Sequence, residues 1–310
     1  MLKLFFTGAG GSGTEAIVNL LGGKYVLHFA DSQQKEGVIH PIVGSGYQHN
    51  IPWANSKDYV QELVSLLTDL DIDMFVPGVD EELAHIEALQ SAIPGLDILA
   101  PEPEYIKTMI DKKNMALAMD LKGLPTPGAY SLDIPEDLDF PIIAKPRSGR
   151  GSRGVRKLDQ VDDVHAYVQL SGVSTDELVA QNYLEGDEYT VMMSANSAGC
   201  LQSIVPVKVE EKRGITIRAK VVNDAAVIDT CKNIHSKYRA KGCYNIQMMK
   251  ISNGEVIPFE INPRVSTTFC LGVAAGIDPI ANYYSSNSSE KLQEFTENIA
   301  LRRYWMNHIK

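Results

Sequence analysis

The stretch that decides the fold is Asn245–Arg264, NIQMMKISNGEVIPFEINPR. Asn253-Gly254 lies between two runs of alternating residues, which predicts two antiparallel strands joined by a two-residue loop. With Asn253 and Gly254 as the loop, Ser252 faces Glu255, Gln247 faces Glu260 and Asn245 faces Asn262. Directly opposed residues hold their Cβ atoms about 4.5–5.5 Å apart. Ile246, Met248, Phe259 and Ile261 then share the other, apolar face. Asn245, Gln247, Glu260 and Asn262 all offer oxygen, as a hard cation such as Mg2+ requires. Arg264, two residues past Asn262, would lie on the same side and meet an anion held by that cation. A half-buried hairpin that merely shows polar residues to water is the simpler alternative. Such a face ordinarily carries Lys and Thr, and neither stands at these four positions.

The segment FEINPRVSTT, residues 259–268, resembles the metal-binding strand of ATP-grasp enzymes, most closely the E-x-NPR-V-S pattern of the carbamoyl phosphate synthetase large subunit. The resemblance implies that Gln247, Glu260 and Asn262 hold Mg2+, or alternatively Mn2+, on the phosphates of ATP.

Upstream, FPIIAK reads as a strand ending at Lys145, which Pro146 holds extended. It feeds Ser148, Gly149, Arg150, Gly151, Ser152, Arg153 and Gly154, a cationic loop whose backbone N–H groups and hydroxyls suit a triphosphate. No Walker A pattern is present. A flexible surface hairpin tip is the bland alternative, but Lys-Pro followed by a Gly/Ser/Arg loop resembles the ATP-grasp lid. DKKNMALAMDLKGLPTP, residues 111–127, resembles another ATP-grasp segment, in which the residue matching Lys112 reaches the phosphates. Read bare, Lys112 is a lysine in a helix's first turn, usually solvated. VAQNYLEGDEYTV, residues 179–191, resembles the family's hinge. There the residues matching Gln181 to Leu184 hold adenine, with backbone contacts expected at Tyr183 and Leu184, and the residue matching Glu188 binds ribose. Asn182 departs from the more usual Glu. Lys208 and Arg218 lie on predicted strands with substrate, terminal phosphate or plain exposure as alternatives, and Glu210–Gly214 reads as a solvated turn.

The first hundred residues alternate strand and helix patterns, which implies a parallel sheet covered on both faces. Gly8, Gly10 and Gly13 satisfy GxGxxG after the first strand, and Asp31 ends the second. Three readings stand open for this loop: a tight turn with no ligand, nucleotide contact in an accessory lobe, or NAD(P) binding. Asp80 in Val79-Asp80-Glu81-Glu82 follows a strand end and reads most simply as a helix N-cap.

Of 310 residues, 44% are hydrophobic and 22% charged, as in ordinary globular proteins. The net charge of −10 and the lack of a long basic run argue against nucleic acid. No apolar run approaches the roughly 18 residues of a membrane span. Leu4–Phe6 is too short for a signal h-region, and Cys200, Cys231, Cys243 and Cys270 show no CxxC spacing, so reduced thiols and a cytoplasmic location are expected.

The expected architecture joins α/β and α+β parts. A Rossmann-like lobe over residues 1–104 precedes a two-lobed ATP-grasp fold over 105–310, with a lid lobe at about 112–179 and a catalytic lobe at about 180–310. The resemblance implies an ATP-dependent carboxylate–amine ligase acting through an acyl phosphate on small molecules, with Lys145 and Arg264 neutralising charge on the transferred group. One grasp module stands where the large synthetase subunit carries two, which argues against a complete carbamoyl phosphate synthetase. A homodimer is left open. The rivals are an NAD(P)-dependent oxidoreductase, which leaves Glu260 to Arg264 unexplained, and a catalytically silent nucleotide-binding regulator.

Overall fold

Short β-branched and aromatic runs separated by amphipathic segments fold, in the computed structural model, into three sheets; residues 1–33, 38–288 and 291–304 are described. The first sheet takes β1 (Lys3–Phe6), β2 (Val26–Asp31), β3 (Gln48–Asn50), β4 (Met74–Val76) and β5 (Asp97–Ile98) in the parallel order β3-β2-β1-β4-β5. Helices α1 (Thr14–Leu21), α2 (Tyr59–Asp69) and α3 (Ile86–Ala92) connect these strands. Strand order reverses between β2 and β4 around β1, the place where open sheets of this kind leave a crevice. Gly78 is fixed by a close crossing there, since a Cβ on it would stand 2.1 Å from the Thr7 carbonyl oxygen.

Helices α4 (Pro103–Met109) and α5 (Lys112–Asp120) lead to a three-stranded antiparallel sheet of β6 (Ile142–Pro146), β7 (Arg156–Leu158) and β8 (Leu178–Asn182), ordered β7-β6-β8 and backed by α6 (Val161–Ser171). The third sheet is antiparallel. It contains β9 (Gly186–Ala195), β10 (Leu201–Arg213), β11 (Ile215–Val221), β12 (Gly242–Ile251), β13 (Val256–Asn262) and β14 (Ala300–Arg302), ordered β13-β12-β9-β10-β11-β14. Helix α7 (Ala225–Tyr238) packs on one face of it, and α8 (Phe269–Ala274) and α9 (Pro279–Tyr283) lie towards the N-terminal sheet. Asp111, Asp224 and Asp278 cap α5, α7 and α9 by accepting backbone N–H bonds.

One apolar cluster joins Leu4, Phe6 and Phe29 of the first sheet to Met192, Val205, Phe269 and Ile280, so the parallel and antiparallel sheets share a core. The other face of the large sheet buries Met115, Tyr244, Ile246, Met248 and Ile261. The serine-rich stretch SSNS at 285–288 is irregular, and Ser289 lies outside the described residues. Among the described residues no helix is long and apolar enough to cross a membrane.

The decisive hairpin keeps the predicted register from Asn245 to Gln247 and departs from it between the loop and Phe259. Asn245 pairs with Asn262 and Gln247 with Glu260, as expected. The loop, however, has three residues: Ile251 N–H donates to Glu255 O, and Gly254 takes φ 88°. Met248 therefore pairs with Pro258, and a bulge at Phe259 restores the register. The bulge turns Phe259 away from the core, so its ring lies 5.4 Å from Lys145 Nζ rather than beside Ile246 and Met248.

Candidate active site

Two connected cavities lie where the three sheets meet. The first, about 290 Å³, is walled by Ile143 and Lys145 of β6, by Gln181–Leu184 at the end of β8, by the 148–155 loop, and by Met249, Phe259 and Glu260. The second, about 350 Å³, shares Arg150, Arg153, Glu188, Lys212 and Glu260 with the first and reaches Gly8, Gly11 and Ser12 of the N-terminal sheet. All predicted oxygen donors, Gln247, Glu260 and Asn262, line the second.

Lys145 is 4% exposed, and its ammonium donates to Phe259 O at 3.2 Å. Burial pushes its pKa down to about 8; Glu260 pulls it back up, while Lys112 and Lys212 lower it further. Lys112 is also buried, not solvated, and donates to Gly149 O at 2.9 Å, fastening the glycine loop. Its helix start is held by Asp111, whose carboxylate accepts from Arg147 Nη2 at 2.7 Å. Burial would raise the Asp111 pKa, but hydrogen bonds from Arg147 and backbone N–H groups bring it below the usual carboxylate value. Ser148, Gly149 and Ser152 face the first cavity, Gly151 faces the second, and Gly154 packs against Pro146. Arg150 at the loop tip reaches Glu81 of the N-terminal sheet, 3.4 Å away.

At the hinge, Gln181 is 2% exposed and its Nε2 has no protein partner. Tyr183 N–H donates to Pro141 O, so of its backbone groups only the carbonyl is left for a ligand. Leu184 borders the same cavity. Asn182 points outward, where its Nδ2 donates to Tyr130 OH at 3.3 Å.

Lys212 was hidden in the sequence by the charged run EEKR, which reads as a solvated turn. In the structure β10 runs on through Arg213, and Lys212 Nζ stands 2.5 Å from Glu188 Oε1 and 3.2 Å from Gln247 Oε1. Alternation alone groups Lys212 with Lys208 and Glu210, and the register shifts between Val209 and Lys212 are what turn it into the cavity. Lys208 pairs with Asp187 and Arg218 with Glu210, and neither Lys208 nor Arg218 lines these cavities. Asp80 does not cap its turn. It accepts from Arg264 Nε at 2.5 Å, and Arg264 Nη1 donates to Val265 O. Arg264 is 8% exposed, and its guanidinium borders the second cavity while anchored on the N-terminal sheet. Arg303, which carried no recognisable motif, holds the carbonyls of Ser12, Thr216 and Thr267 and so ties the glycine turn to the donor strand. Asp31 accepts from Gly10 N–H at 2.8 Å, filling with a carboxylate a donor that a dinucleotide phosphate would use.

The donor set suits a hard cation that takes much of its charge compensation elsewhere. Gln247, Glu260 and Asn262 all offer oxygen, yet only Glu260 is an acid, so a divalent ion there would rely on anionic oxygens of a bound phosphate. The orphan amide of Gln181 similarly fits an adenine edge, where Gln pairs with a donor and an acceptor side by side.

Comparison with known proteins bears on the fold. A model of the family described as ATP-grasp in the biosynthetic pathway with Ter operon matches residues 174–306. The carbamoyl phosphate synthase large chain of Deinococcus radiodurans is 25% identical over 201 residues, which cover 58% of this chain and 20% of that protein. A D-alanine–D-alanine ligase of Francisella philomiragia is 26% identical over 187 residues, 59% of this chain and 62% of the ligase. This chain thus matches only part of each of these relatives. Among solved structures, a biotin carboxylase from Campylobacter jejuni aligns over 97% of this chain and 74% of its own, with a TM-score of 0.71 and 14% identity.

Proposed function

Because the chain is a member of the ATP-grasp superfamily, we propose that it is an ATP-dependent, ADP-forming carboxylate–amine ligase acting on small molecules. The observation that carries this reading is the convergence of Lys145, the 148–154 loop and the Gln247/Glu260/Asn262 face on two cavities that share a wall. Bound Mg-ATP would supply the phosphoryl group that turns a carboxylate into an acyl phosphate, from which an amine displaces phosphate. Gln181, with the Tyr183 carbonyl and Leu184, would seat adenine, and Glu188 the ribose. Lys112 and Lys145 would bind phosphate oxygens under the loop, with Ser148, Gly149, Gly151, Ser152 and Gly154 shaping that cover. Gln247, Glu260 and Asn262 would hold the Mg2+, and Arg264 would offer its planar fork to the developing acyl phosphate.

Cys231, Cys243 and Cys270 do not compete as nucleophiles: all three are buried, and burial raises their pKa values. Four free cysteines also suit a reducing, cytoplasmic setting. Asp31 against Gly10 N–H weighs against the NAD(P) alternative. The test is calorimetric titration of ATP, NAD and NADP with and without Mg2+. ATP should bind, its affinity should depend on Mg2+, and Glu260→Ala should abolish that dependence. Binding of NAD or NADP in preference to ATP would replace this reading with the oxidoreductase one.

A further inference from the structure

The second cavity contains a buried donor that the nucleotide and metal do not explain. Asn245 is 2% exposed and sits on β12 beside Gln247. Thr190 Oγ1 donates to its Oδ1 at 2.7 Å, which fixes the amide of this cavity-lining residue and leaves its buried Nδ2 without a partner among the described residues. A buried unpaired N–H is uncommon and calls for a ligand or a reason. The hydroxyls of Thr190, Thr268 and Ser266 continue from Asn245 as a chain, with Ser266 and Thr268 oxygens 2.8 Å apart. Arg150, Arg153, Lys212 and Arg264 line the cavity, and three of them, Arg150, Lys212 and Arg264, are paired with Glu81, Glu188 and Asp80. Among the described residues, its apolar side chains are Val79 and Ile215.

We propose that Asn245 Nδ2 is the donor that seats the acceptor's carboxylate, and that the acceptor is a small polar carboxylic acid rather than an aliphatic or aromatic one. The inference rests on the ligase reading and names its substrate class. Asn245 orients the carboxylate near the Arg264 side of the cavity, and the hydroxyl chain with the glycine turn meets a polar body. Val79 and Ile215 offer a hydrocarbon chain little side-chain surface to pack on. A site built to hydrogen-bond a group discriminates strongly for it, because its own buried donor is otherwise unpaired.

The experiment titrates glycolate, malonate, L-serine, L-aspartate, butyrate and hexanoate into the protein saturated with Mg-ADP. At least one of the four polar acids should bind at least tenfold more tightly than butyrate or hexanoate. Asn245→Leu removes the donor without adding charge and should weaken that acid about 10–100-fold, with Mg-ADP affinity held within about threefold. Asn245→Asp keeps the size and the Thr190 bond and should weaken the acid at least as much, so a misfolded Leu variant does not end the test. A purely structural role would lower the melting temperature without separating the acid from Mg-ADP. Failure of the wild type to bind Mg-ADP removes the ligase reading itself. Normal Mg-ADP binding overturns the Asn245 inference alone if butyrate or hexanoate is preferred, if no polar acid binds, or if the folded variants bind the acid like wild type.

Discussion

Arg264 Nε and Asp80 Oδ1 stand 2.5 Å apart, an ion pair with each side chain 10% exposed that ties the donor strand to the N-terminal sheet. Truncating one partner leaves the other charge buried and uncompensated, which typically costs about 3–5 kcal/mol. Asp80→Ala should show a loss of that order in urea unfolding. Asp80→Ala combined with Arg264→Met should recover part of it. A loss below about 1 kcal/mol would place the pair among solvent-screened ones.

Glu82 lies under the same crevice, 2% exposed, with its Oε2 accepting from Thr7 Oγ1 at 2.5 Å. Burial pushes its pKa up to about 7, and its hydrogen bonds only partly oppose this. A raised folded pKa means that the folded state holds the proton more tightly than the unfolded chain. Its contribution is therefore fully present below about pH 4.5 and is lost as pH rises to about 7. Glu82→Gln removes the titration. Relative to the variant, the wild type should lose about 3 kcal/mol across that window. Parallel stability curves for the two proteins from pH 4.5 to 8 would show that Glu82 ionises as in the unfolded chain.

Much of the site was legible because its residues sit close together in sequence and obey a period of two. Asn245, Gln247, Glu260 and Asn262 came out opposed as expected, since Asn253-Gly254 marks the turn within one residue. That Gln247, Glu260 and Asn262 hold a metal is a proposal. The three-residue loop and the bulge were not legible, because the two irregularities cancel at Gln247 and leave the pattern around them intact. Lys212 was lost because a charged run before glycine reads as solvated, whereas a long strand had carried it into the cleft. Asp80 and Arg303 could not be read at all. Their partners lie 184 and up to 291 residues away, and nothing local specifies such pairings. The parallel sheet was readable from alternation of strand and helix patterns, and its order follows the usual route for such connections.

Lys145 should report nucleotide binding through protons. With its pKa near 8 in the free protein, the ammonium form is partly lost above that pH, and a phosphate beside it favours recharging. ATP affinity should hold steady below pH 8 and decline above it. At pH 9, titrations in buffers of different ionisation enthalpy should reveal uptake of close to one proton. Lys145→Arg keeps the charge at all these pH values and should abolish the uptake. An affinity in the wild type that does not change between pH 7 and 9.5 contradicts this account of Lys145.

The central claim is that a carboxylate is activated by phosphorylation in the cleft between Lys145 and the Asn245–Arg264 hairpin. It is tested most directly by following oxygen. A polar acid selected by binding is labelled with ¹⁸O in its carboxylate and incubated with the protein, Mg-ATP and a mixture of amino acids. The account predicts ADP, an amide, and phosphate carrying one ¹⁸O from the carboxylate. Release of AMP and pyrophosphate, or phosphate free of the label, would contradict it.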